Sequence, residues 1–121
     1  MSKIVRAINA MIANEKKISS VMKGQNGEIF FLFDGKYKWS TRKGEDGTYL
    51  WFYPVDADLR TLAGVDDWDG IPMVTYRASE IGTREAKESF EELYLLVKEK
   101  LYGVDDVLND IIGQSDDGVP F

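Results

Sequence analysis

The chain has 121 residues, 44% apolar and 30% charged, the profile of one globular domain rather than two. Cysteine and histidine are both absent, which excludes disulfides, thiolate metal sites, Cys nucleophiles and imidazole chemistry. No apolar run approaches a bilayer span and Met1–Lys23 lacks a signal-peptide pattern, so the expected location is the cytoplasm, with no membrane partner.

Taken in chain order, Ile4, Ile8, Met11, Ile12, Ile18 and Met22 recur near every third or fourth position and predict a helix over 3–23. Asn14 is placed to break it in two, and Gly24 and Gly27 stop it. Next, Glu28–Phe33 and Lys36–Thr41 flank Asp34-Gly35, the signature of a two-residue type I′ hairpin whose turn positions both need φ > 0. Lys43–Gly47 reads as a loop, and Tyr49–Tyr53 as a third strand ended by Pro54. Asp56 is a cap for a short helix over 57–63, Val65–Gly70 an acidic loop, and Met73–Arg77 a fourth strand. Thr83 caps a long helix over 84–101 that Gly103 ends. Asp105–Ile112 is a short last helix, and Gly113–Phe121 an acidic tail. The expected fold is one α+β domain over 1–112 followed by a tail over 113–121. A three- or four-stranded, mainly antiparallel meander packs on the helices at either end of the chain.

With a two-residue turn, paired positions sum to 69, and side chains alternate between the two faces. Phe30, Leu32, Tyr37 and Trp39 then form an apolar face against the helices, together with Leu50 and Phe52. The other face holds Phe31, Phe33, Lys36, Lys38, Tyr49, Trp51 and Tyr53, an aromatic surface interleaved with lysines. Open faces of this composition suit single-stranded nucleic acid, because bases stack on rings while ammonium groups meet phosphates. The same face could instead be covered by a helix layer or form a homodimer interface.

Charge is unevenly placed. Residues 1–50 carry nine bases and five acids, a net +4; residues 51–121 carry six bases and sixteen acids, a net −10. The split suggests a side for a polyanion and a side for a basic partner. Asp66, Asp67, Asp69, Glu88, Glu91 and Glu92 are the contacts expected if the chain is an acidic inhibitor, an immunity-type protein or a DNA mimic that covers a basic enzyme.

No catalytic constellation emerges. Val65–Gly70 fits a calcium loop only in part: aligned on Gly70, the first ligand position falls on Val65 and the closing acid on Tyr76. There is no phosphate-binding Gly-Lys loop and no serine paired with a base in a known pattern. The expectation is a non-enzymatic protein without cofactor or metal.

The chain ends Ser115-Asp116-Asp117-Gly118-Val119-Pro120-Phe121. These residues resemble the acidic tip of bacterial single-stranded DNA-binding proteins, which typically ends Asp-Asp-Asp-Ile-Pro-Phe. Asp116 and Asp117 match acids, Gly118 replaces the third Asp, Val119 stands for Ile, and Pro120 and Phe121 match outright. The resemblance covers the last six residues. It is not carried to the body, which in that family is a β-barrel on a long linker. It implies a docking peptide for a protein partner: Phe121 in an apolar pocket, its carboxylate on a base, Asp116 and Asp117 on a basic ridge. With the aromatic-basic face, it points to a single-strand nucleic-acid-binding or genome-maintenance accessory protein.

Overall fold

The computed structural model describes residues 2–118, with side chains described through Gln114. The Ser2 hydroxyl accepts from the Val5 N–H (3.3 Å) and starts α1, Lys3–Ala13, whose Val5, Ile8 and Met11 are buried. The helix ends at Asn14, whose backbone and side-chain N–H groups both donate to the Ala10 carbonyl (3.0 and 2.8 Å). After a 3-10 turn at Glu15–Lys17 the chain becomes strand β1, Ile18–Lys23. The helix predicted to continue through residue 23 is thus corrected. Ile18 and Met22 keep a helical spacing, but Ser19 and Ser20 are weak helix formers, and Ile18 finds a partner in Phe33 across the sheet. β1 carries an irregularity between Ser19 and Met22, where Ser20 adopts φ 55°.

Strands β2 (Ile29–Phe33), β3 (Tyr37–Gly44), β4 (Gly47–Phe52) and β5 (Val74–Arg77) follow β1 in an antiparallel sheet of order β1-β2-β3-β4-β5. The α+β fold with helices at either end of the chain is as expected, with one strand more than predicted. Asp34 and Gly35 take φ 58° and 69°, and the Lys36 N–H donates to the Phe33 carbonyl (3.3 Å), so the turn itself forms as the sequence predicts. The register does not. Phe33 pairs with Tyr37, Phe31 with Trp39 and Phe30 with Ser40, leaving Lys36 outside the ladder. Pairs sum to 70 rather than 69, and every β3 side chain changes face relative to β2.

The cause is burial on both faces. Phe31, Ile29, Ile18 and Leu50 join α1 and α4 in the main core, with Phe33, Trp39 and Tyr76 packed against it. On the opposite face Phe30, Tyr53, Leu59, Leu62 and Ala63 form a second cluster, flanked by Leu32, Trp51, Trp68 and Met73. Phe30 and Leu32 therefore belong to the second face, not to the helix face predicted for them. In the observed register two polar groups of β3 find partners on this face, while on the helix side the indole N–H of Trp39 is buried without one among the described residues. Ser40, fully buried beneath the second cluster, shares a hydrogen bond with the Tyr53 hydroxyl (2.7 Å). Lys38 Nζ donates to the Val55 carbonyl (2.6 Å).

The second cluster is capped by α2, Leu59–Ala63, which begins at Asp58 rather than at the predicted Asp56: Asp58 Oδ1 accepts from the Thr61 N–H (2.8 Å). After β5, α3 (Ala78–Ile81) leads to α4 (Arg84–Tyr102), capped by Thr83 and ended by Gly103 as expected. Helix α5, Val104–Gly118, runs past the predicted end at residue 112 and through Gly113. Hydrogen bonds from Gln114 to Asp110 (3.0 Å) and from Asn109 to Asp105 (3.4 Å) support it there.

Tyr53 tests this arrangement. Burial raises its hydroxyl pKa to about 12, with Ser40 opposing the shift in part. The neutral phenol is what the fold holds, so its contribution is complete below the unfolded value near 10 and is lost as pH rises from about 10 to about 12. Tyr53→Phe leaves the Ser40 hydroxyl buried without its partner. It should cost about 1–3 kcal/mol in urea unfolding at neutral pH, and flatten the stability loss over that alkaline window.

Candidate nucleic-acid interface

The second face is covered unevenly. α2 and the loop carrying Trp68 lie over the rows of Leu32 and Phe30, where Trp68 stacks on Phe30 (centroids 6.1 Å) and on Tyr53 (5.5 Å). Beyond them the ladder places Arg42, Tyr49 and Arg77 side by side on β3, β4 and β5, next to the row Ser40, Trp51 and Thr75. Arg42, Arg77 and Thr75 are exposed, and Tyr49 and Trp51 half-buried. Tyr49 and Trp51 are nearly parallel with centroids 5.4 Å apart, and the Arg77 guanidinium lies 5.3 Å from the centre of the Tyr49 ring. The Tyr49 hydroxyl donates to Asp46, which fixes the ring, lowers the Asp46 carboxyl pKa and raises that of the phenol. Arg77 also meets Glu80 (3.3 Å) at the surface. Among the described residues Arg42 is in no ion pair.

A cleft of about 470 Å³ opens beside this row, lined by Asn26, Glu28, Arg42, Trp51, Tyr53, Trp68 and Met73. Its size is that of a small-ligand site.

The seven predicted platform residues are divided by the shifted register. Lys38, Tyr49, Trp51 and Tyr53 share the second face. Phe31 is fully buried in the main core, and Phe33 packs against that core on the helix side. Lys36 sits in the turn with its ammonium 4.9 Å from the centre of the Tyr37 ring. Tyr53 is buried and Lys38 is tied to Val55, so the accessible members are Tyr49 and Trp51. Arg42 and Arg77 were missed. Arg42 lies four positions after Lys38 on one strand, so period-two alternation alone would have placed it; Arg77 needed the pairing of β4 with β5.

The acidic residues also divide. Asp66, Asp67 and Asp69 are exposed in the loop that delivers Trp68, where Asp67 Oδ1 accepts from the Asp69 N–H (3.0 Å). Glu88, Glu91 and Glu92 lie on α4 and, with Glu15 and Glu99, rim a groove of about 600 Å³ floored by Ile12, Leu95 and Leu96. Three of the five are paired: Glu91 with Lys43 (2.6 Å), Glu88 with Arg84 (3.0 Å) and Glu15 with Lys100 (3.9 Å). At the chain's end, Val107, Leu108, Ile111 and Ile112 of α5 are each about half exposed, beside Asp105, Asp106 and Asp110. Asp116 and Asp117 fall within the bounds of α5, and Val119, Pro120 and Phe121 lie outside the described residues.

Among the described residues no helix is long and apolar enough to cross a membrane. No protein-family model, curated protein or solved structure matches the chain.

Proposed function

We propose that the protein is a non-enzymatic, cytoplasmic single-stranded nucleic-acid-binding accessory protein whose C-terminal segment docks a protein partner. The observation that carries this reading is the row Arg42–Tyr49–Arg77 with Trp51 stacked beside it, on the part of the second face that α2 leaves open. Two guanidiniums beside half-buried aromatic rings meet the two needs of single-strand binding, phosphate neutralisation and base stacking. The acidic, half-apolar surface of α5, leading into the tip that resembles those of single-stranded DNA-binding proteins, supports the docking role. Single-stranded oligonucleotides of about twelve nucleotides should quench the fluorescence of Trp51 and Trp68 at about 20 mM salt, with affinity falling steeply as salt rises. Arg42→Glu with Arg77→Glu should weaken binding by roughly tenfold or more while leaving the melting temperature nearly unchanged, because both side chains are exposed. Absence of binding at that salt would remove the reading.

A second reading, capture of a basic protein, is favoured by the groove between α1 and α4. Its apolar floor and five carboxylates suit an amphipathic helix with leucines at spacings of three and four on one face and lysines flanking them, and among the described residues Glu92 and Glu99 are in no ion pair. A synthetic peptide of that composition should bind the intact protein, and Glu92→Lys with Glu99→Lys should abolish the binding. Equal binding by the variant would assign the attraction to the general negative charge of the chain.

A further inference from the structure

Glu28 is a buried carboxylate that the fold itself does not pair with a cation: it is 93% buried, at 7% exposure, yet among the described residues it is in no ion pair. Its Oε1 accepts from the Asn26 backbone N–H (2.8 Å), and the carboxylate lines the aromatic cleft. Its other oxygen is not buried without a partner, so it keeps contact with solvent and is free to accept a further donor. The fold makes room for the carboxylate there. A Cβ on Gly24 would lie 2.0 Å from Oε1 and 2.5 Å from the Phe30 ring, so only glycine at position 24 leaves this placement intact. Continuing the β2–β3 register by one residue sets Glu28 beside Arg42, so an acceptor and a cation stand at one end of a cleft walled by Trp51 and Trp68.

We propose that this cleft takes one nucleobase carrying an exocyclic amine, that is cytosine, adenine or guanine in preference to uracil or thymine. The proposal rests on the single-strand reading above and adds base preference to it. The base stacks on the indole rings, its amine donates to Glu28, and its phosphate meets Arg42. Uracil offers only an imino N–H flanked by two carbonyl oxygens. Bringing it to a carboxylate sets those lone pairs against negative charge, whereas an amine at the corner of the base avoids this.

The test compares oligo(dC) with oligo(dU) of equal length on the intact protein at low salt, in a mildly alkaline buffer. Oligo(dC) should bind roughly tenfold more tightly. Glu28→Gln should bring the two affinities together without weakening oligo(dU). Should that variant fail to fold, oligo(dC) dimethylated on its exocyclic amines, which has no amine hydrogen to donate, should bind the wild-type chain like oligo(dU). Equal binding of oligo(dC) and oligo(dU), or tighter binding of oligo(dU), overturns the base preference and leaves single-strand binding intact. Binding of neither removes both.

Discussion

Phe30 and Phe31 are adjacent in one strand, point to opposite faces of the sheet and are both fully buried. The rest of the architecture follows from that constraint. Each ring needs its own apolar cover. α1 and α4 supply it on one side, and α2 with Trp68 supplies it on the other. With both faces occupied, the register of β3 that buries these rings also sets the places of its other residues. Ser40 lies under Tyr53, Lys38 reaches Val55, and Trp39 enters the helix side against Phe52, at 5.0 Å between centroids. Lys36 is left out of the ladder in this register.

This is also why the sequence was legible in some places and not in others. Elements with local chemical signatures stood out: the Asp34-Gly35 turn, the Thr83 cap, Gly103 at the end of α4 and, within one residue, the strand read over 73–77 and found at 74–77. The face assignment did not. Ile29 to Phe33 is apolar at every position, so alternation could not say which parity faces the helices. β1 was hidden for a related reason, since Ile18 and Met22 satisfy a helical spacing and a strand pairing alike. Of the interface, Tyr49 and Trp51 were accessible from the parity of one strand. Arg77 became visible only once β5 was paired to β4.

The functional reading changes in location rather than in kind. An aromatic-basic surface was expected on the exposed side of the hairpin. The turn lysine and the helix-facing phenylalanines are not part of the surface that formed, which lies at the far end of β3–β5 and replaces lysine with arginine. That replacement matters chemically. Guanidinium groups are able both to pair with phosphate and to lie over aromatic rings, and Arg77 lies 5.3 Å from the centre of the Tyr49 ring. Acidic side chains line the α4 rim and α5, and others, Asp46, Glu80 and the Asp66–Asp69 loop, stand beside the arginines of the second face.

The central claim is that ligand binds the open end of the second face. Mapping the amide and indole resonances of the labelled protein during titration with a single-stranded oligonucleotide tests it most directly. Shifts should concentrate at Arg42, Tyr49, Trp51, Trp68 and Arg77, and leave Phe31, Phe33 and the indole of Trp39 unmoved. Shifts centred on Lys36, Phe33 and Tyr37, or spread along α4, would contradict it.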